Sequence, residues 1–496
     1  MAFESPFNHH GDEPFTTRCQ RVFGSNLGLF AIAAALLPYL LLHTRYYLYY
    51  IDDAWWIADI HHFFRTGIME EYLFRTPDAP DRVIIFGKAY FLIYGAFLEW
   101  AGWTKGNALL VSSCFIWLSA GMWWLIAGRL NLSVALRRLV PFSVLVFPAF
   151  FSAAQMARPD ALVFFLALLT FYLFLRGWHL LAGFFLLVSM EVHLMGVTGL
   201  FYILAWVLAE RNGAFADRRK LLRAGAVFSL GALIGVMYYL MLHRDRFSLD
   251  LLVTTMKLNQ GMNNFRLGYI AMYFVQRYWY RHVWELLLIL VAAYLYVKNG
   301  LWRGTSFPSI FLPVMILSSF VTSRPNANYM LFAYPAVLLF VYDTFERTGL
   351  LRRVLPLVAT ALVLLYGGYG WFYRNFDFQA IVTETRRSLP DANLPVIGMP
   401  DNWFVVPEGT FYPIYPSVEY IPELGLKDFY LVRNDYIGHD SRNYLPMIAW
   451  IGAKYDLEPV RAFTAWEDQR VEIYRCRARE PRAGLPTPQR RQGGES

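Results

Sequence analysis

Cysteine is nearly absent, with three in 496 residues: Cys19, Cys114 and Cys476. They lie far apart, Cys114 falls inside an apolar run, and no disulfide framework or zinc-ligand spacing is visible. Charge is scarce as well. Asp, Glu, Lys and Arg make up 17% of the chain, against 57% hydrophobic and 18% aromatic residues. That balance excludes an ordinary soluble enzyme and describes a polytopic helical membrane protein. The net charge of +8 does not imply a nucleic-acid partner, because most Lys and Arg fall between apolar runs, where they orient helices. There is no internal repeat. No small-residue cleavage site follows the first apolar run, so that run reads as a retained span and not as a removed signal peptide.

What is present is a series of apolar runs. A bilayer core needs about 20 mostly apolar residues per helix. Runs near 27–44, 107–128, 138–154, 160–176, 178–191, 194–209, 222–243, 283–298, 306–322, 328–343 and 351–371 predict about eleven spans, of which 178–191 and 194–209 are short enough to be tilted or broken. Basic clusters set the orientation. With Arg18 and Arg21 in the cytoplasm, the cytoplasmic loops carry Arg129, Arg137 and Arg138, then Arg211 to Arg223, then Lys298 and Arg303, then Arg347 to Arg353. This register requires that 83–103 does not cross. Lys88 and Glu99 leave only Ala89 to Leu98 uninterrupted, so the segment reads as interfacial. Ala54 to Gly67 reads as a second interfacial helix.

The first outer loop is then 45–106 and a further one is 244–282. Hydropathy falls after residue 372. Short strand-like runs at Pro395–Gly398, Phe429–Val432 and Val471–Tyr474 predict a small extracytoplasmic α/β domain over 373–478, and 479–496 reads as a disordered tail. The membrane domain is 1–372.

In this topology the unusual polar residues collect at helix ends on the outer face. Asp52 and Asp53 follow the first span. Gln155, Arg158 and Asp160 lie in Ala-Gln-Met-Ala-Arg-Pro-Asp, Glu191 and His193 in Met-Glu-Val-His, and Arg324 in Ser-Arg-Pro-Asn. Carboxylates at a membrane surface are costly to desolvate and mark chemistry. Glycosyl transfer from a polyprenyl-phosphate sugar fits. A carboxylate takes the proton of the acceptor hydroxyl, and cations stabilise the anionic lipid phosphate as it leaves. Lys88, Arg158, Arg324 and loop arginines including Arg266 are the candidate cations. Structural readings stand beside these. The Asp pair can cap the next helix, Arg158 and Asp160 can form an ion pair, and Lys88 can snorkel. Glu191 and His193, two residues apart, share no helix face. They and Asp53 are the candidates for a divalent metal, and no other cofactor is indicated.

These residues resemble the type C membrane glycosyltransferases (the GT-C fold), closest in pattern to the protein-O-mannosyltransferase and aminoarabinose-transferase branch. The resemblance covers roughly residues 27–372. It rests on Asp52-Asp53-Ala54 in the first outer loop, on Arg158-Pro159-Asp160 after the third span, on Phe86-Gly87-Lys88-Ala89-Tyr90 as a lipid-phosphate lysine segment, and on Arg324 through Pro335. It departs from the family pattern in having Asp for the commoner Glu at 53, and in lacking prolines after Lys88. The resemblance implies an inverting transfer with Asp52 as base. The partners implied are a polyprenyl-phosphate-linked sugar, membrane lipids, and a lipid, glycan or protein acceptor. The single Asn-x-Ser sequon, Asn131 to Ser133, lies on the cytoplasmic side, which favours a bacterial inner membrane. A lipid-linked sugar flippase and a ligase or polymerase using lipid-pyrophosphate glycans are the alternatives. Transporters usually carry repeats and ionisable groups at the bilayer midplane, and neither is evident.

Overall fold

The computed structural model describes residues 51–73, 87–211, 213, 215–244, 283–303, 306–322, 330–372, 374–391, 393–414, 425–434, 449–467 and 469–479. Two compact units emerge: residues 1–72 with 81–379, and residues 73–80 with 380–496.

The first unit is helical. Helices α1 (Ile51–Thr66) and α2 (Lys88–Ala101) occupy the segments read as interfacial. There follow α3 (Lys105–Arg129), α4 (Val134–Val146), α5 (Pro148–Ala154), α6 (Asp160–Leu175), α7 (His179–Val192), α8 (Thr198–Ala209), α9 (Arg218–Leu242), α10 (Val283–Lys298), α11 (Phe307–Thr322), α12 (Met330–Arg347) and α13 (Leu351–Phe372). Every expected span except 27–44, which lies outside the described residues, coincides with one of these helices or with a pair of them. By length and apolarity α3, α9 and α13 can each cross a bilayer alone, and α4 with α5 makes a fourth crossing if the bent pair counts as one. Among the described residues, the ten remaining apolar runs are therefore not ten full-length straight helices.

Local chemistry sets the boundaries. Thr104 accepts from the Asn107 backbone N–H, Ser133 from that of Leu136, and Asp217 from that of Arg219, capping α3, α4 and α9. The Asn107 amide donates back to the Ala101 and Gly102 carbonyls, closing the end of α2. The run 138–154, one span by hydropathy, is bent by 50° between α4 and α5. The cause is Pro148, which lacks an N–H and pushes Phe147 out of helical geometry, to φ −75° and ψ 145°. The chain breaks again after α7, where His193 is extended and its Nδ1 accepts from the Met195 N–H to start the short 3-10 turn Leu194–Val197.

Helices α7 and α9 pack through glycine. A Cβ on Gly183 would run into the Phe228 carbonyl, and one on Gly231 into the Leu180 carbonyl. Gly231 and Gly235 form a Gly-x-x-x-Gly stripe, the pattern that lets membrane helices approach closely where lipid removes the hydrophobic driving force. Gly231→Ala is expected to push the helices apart and lower stability by about 1–3 kcal/mol. Thermal unfolding in detergent, with Gly225→Ala as an open-space control, checks this. Equal melting of the two variants would refute tight packing at Gly231.

The last helix, α14 (Phe378–Arg387), leads into the second unit, whose five-stranded sheet has the order β2-β1-β3-β5-β4. Strands β1 (Val396–Gly398), β2 (Phe411–Pro413) and β3 (Asp428–Asn434) pair in parallel around β1, while β5 (Gln469–Ala478) runs antiparallel to both β3 and β4 (Tyr455–Trp466). The three strand-like runs of the sequence are β1, β3 and β5. The two missed strands have evident reasons: β2 is short and proline-ended, and β4 alternates irregularly because its register shifts after Pro459 and Thr464. Phe429, Leu431, Ile473 and Cys476 are buried in the sheet. Arg475 donates to both oxygens of Asp428 across β3 and β5, which holds that carboxyl below its usual range.

Candidate active site

Four helix starts and two helix ends meet in the first unit. Asp52 and Asp53 lie in the first turn of α1. Lys88 is the first residue of α2 and Lys105 the first of α3. Asp160 starts α6, Glu191 lies in the last turn of α7, and His243 follows α9. A lysine at a helix start faces the positive end of the helix dipole, so each of the two lysines needs an anion or another compensating group.

Lys105 has its anion. Its Nζ lies 3.2 Å from Asp53 Oδ2, and both side chains are fully buried. The ammonium also sits 5.3 Å above the Phe378 ring. The other Asp53 oxygen accepts from the Ala157 N–H at 2.8 Å. Asp53 thus ties the start of α1 to the start of α3 and to the 155–159 turn. The backbone at 154–157 is held from other directions too. Tyr90 Oη donates to the Ala157 carbonyl (2.8 Å), Ser112 Oγ to that of Met156 (2.6 Å) and Ser113 Oγ to that of Ala154 (3.1 Å). Burial, together with the nearby Tyr94, Asp53 and Asp160, pushes the Tyr90 phenol well above its ordinary pKa, so it stays a donor. Arg158 Nε donates to Asp160 Oδ2 at 2.8 Å, and both are buried.

Lys88 differs. It is half-buried, and its Nζ donates to a neutral main-chain carbonyl, that of Leu242, at 2.7 Å. No carboxylate among the described residues lies within ion-pair distance of it. Glu191 instead serves the backbone of the same helix. Its carboxylate accepts from the N–H groups of Lys88 (2.7 Å) and Ala89 (3.3 Å), while its own carbonyl accepts from Gly87 (2.7 Å). His243 Nε2 completes the contact at 3.1 Å from Glu191 Oε1.

The structure therefore brings Asp53, Lys88, Arg158, Asp160 and Glu191 into one connected region. Lys88 and Asp53 are linked through Tyr90 and Ala157. The Asp52 side chain, Arg266 and Arg324 lie outside what the structure describes. Glu191 and His193 do not act together: one caps α2, the other the 3-10 turn. Among the described residues no three His, Cys, Asp or Glu side chains gather as a metal site. Sequence reasoning missed Lys105, Tyr90 and His243. Lys105 had a signal, since a lysine at the start of an apolar helix runs against the dipole. Tyr90 and His243 had none, being one tyrosine in an aromatic-rich segment and one histidine past a span.

No protein-family profile matches the chain, and no curated protein sequence matches it. Solved structures do. ArnT from Cupriavidus metallidurans, bound to undecaprenyl phosphate, superposes with a TM-score of 0.55 at 14% identity over 90% of this chain and 97% of that one. The apo and the inhibitory-peptide and dolichol-phosphate-bound forms of the Archaeoglobus fulgidus oligosaccharyltransferase (AglB) give 0.52 and 0.50, each at 12% identity, over 86% and 88% of this chain and 71% and 73% of theirs. Both proteins are GT-C fold glycosyltransferases. The chain has that fold: a helical membrane protein with a small sheet-bearing unit.

Proposed function

We propose that this chain is an integral membrane glycosyltransferase that moves a sugar from a polyprenyl-phosphate donor to an acceptor hydroxyl at the outer face of a bacterial inner membrane, with inversion. The observation that carries the reading is Lys88. A half-buried ammonium is costly unless an anion compensates it, and the other two lysine or arginine side chains of the described site are already matched, Lys105 by Asp53 and Arg158 by Asp160. Lys88 is left to meet an anionic ligand. The structural neighbours bind undecaprenyl phosphate and dolichol phosphate, ligands of that chemistry.

In the reaction the acceptor oxygen attacks the anomeric carbon while Asp52 takes its proton. The bond from that carbon to the phosphate oxygen breaks, and the electron pair leaves with the polyprenyl phosphate. The leaving group is an anion and needs no general acid. Lys88, with Arg266 and Arg324 as further candidates, stabilises the charge that develops on it. Asp53 is not free for proton transfer in this scheme. Its pairing with Lys105 and its bond to Ala157 make it the anchor of the turn that carries Asp52.

The test is mass spectrometry of lipid-linked and surface glycans from cells with and without this protein. A glycan that lacks one sugar, with its polyprenyl-phosphate donor accumulating, is expected in its absence. Unchanged glycans and donors would refute the assignment.

A further inference from the structure

The start of α2 is held by a residue from far along the chain. Gly87 stands where a capping side chain would normally be, at φ +89°, a conformation suited to glycine. It offers no oxygen to the free N–H groups of the first turn. Those groups are satisfied by Glu191, 103 positions away, which is nearly fully buried. A cap needs only one neutral acceptor, but the left-handed backbone at 87 disfavours the Ser or Thr that would carry it. A buried carboxylate is a much costlier solution, and it carries three further consequences here. It places negative charge beside the positive end of α2. It engages His243 at the end of α9. And it lies directly behind the residue whose ammonium reaches the Leu242 carbonyl, the neighbour of His243. Glu191 thereby ties the start of α2, through the N–H groups of Lys88 and Ala89, to the end of α7 and, through His243, to the end of α9.

We propose that Glu191, braced by His243, is the positioning residue for Lys88: it fixes the first turn of α2 so that the lysine ammonium stands ready at the lipid phosphate. This rests on the reading of Lys88 given above. Glu191 does not touch the substrate. Its effect on binding runs through Lys88, and that gives a signature a plain helix cap lacks.

The experiment measures undecaprenyl phosphate binding to the full chain in nanodiscs. The variants are Lys88→Met, Glu191→Ala, Glu191→Gln and the double variant Lys88→Met with Glu191→Ala. Lys88→Met is expected to weaken binding. Glu191→Ala is expected to weaken it about tenfold in the presence of Lys88 and to have almost no further effect in its absence, because coupled neighbours are non-additive. Glu191→Gln keeps one acceptor oxygen for the Lys88 N–H and is expected to restore part of the loss, and it serves as the test if the alanine variant does not fold. Equal losses from Glu191→Ala with and without Lys88, or full binding by Glu191→Ala or by Glu191→Gln alone, would overturn the positioning role while leaving Lys88 as a phosphate ligand. Wild-type binding by Lys88→Met would overturn the reading of Lys88 itself, and the positioning role with it.

Discussion

Lys105→Met is expected to destabilise the chain by about 3–5 kcal/mol, because it strips the countercharge from a fully buried carboxylate. The methionine fits the space of the lysine stem, so the cost is electrostatic. Asp53 then keeps the Ala157 N–H but loses the ammonium that stood 3.2 Å away, and its charge lies in an interior that solvates it poorly. The double variant Lys105→Met with Asp53→Asn removes both charges and is expected to recover most of the loss, since a neutral buried pair lacks the desolvation penalty. Thermal unfolding in detergent reads both. If the single and double variants melt together, the pair is not the buried ion pair that the geometry describes. The comparison also separates Asp53 from its neighbour: the double variant is expected to keep a large part of its transferase activity, because Asp53 acts by anchoring the turn.

Asp52→Asn is expected to lower sugar transfer by about 10²–10⁴-fold, the range for loss of a positioned general base. Asparagine matches the carboxylate in shape but cannot take the acceptor proton at neutral pH. Its melting temperature is expected to match that of the parent, and undecaprenyl phosphate binding is expected to persist, because the phosphate contact is assigned to Lys88. Turnover by Asp52→Asn at the parental rate would remove Asp52 from the mechanism. Loss of both activity and folding would instead make Asp52 structural. The contrast between the two acidic neighbours is thus measurable: one variant loses stability, the other loses chemistry.

How much of this was legible beforehand differs by scale. The apolar runs at 107–128, 222–243 and 351–371 became α3, α9 and α13 because a long uninterrupted run leaves a helix as the only way to satisfy its backbone in lipid. The reading of 83–103 as a short helix rested on Lys88 and Glu99, and α2 begins and ends close to those charges. The bend at Phe147 was also present in the chain as Pro148, yet hydropathy averages over a window and passes through it. In the second unit, β1, β3 and β5 showed as β-rich runs, whereas β2 has too few residues to form a pattern.

The site divides in the same way. Asp52, Asp53, Lys88, Arg158 and Asp160 stood out because ionisable residues are few and fall at helix ends, and in an apolar chain each such residue demands an explanation. Their unequal roles did not show. Nothing local distinguishes Asp53, paired with Lys105 across 52 positions, from Asp52 beside it. Nothing local tells that Glu191 looks to the backbone of Lys88 and not to His193.

By itself, the sequence determined that the chain is a helical membrane protein with acids and cations at its helix ends, because hydropathy and helix boundaries are set by neighbours along the chain. Only the tertiary structure decided which charges pair with one another and which meet a neutral group, because a charge inside a protein is governed by whatever group lies within a few ångströms of it, however distant in sequence.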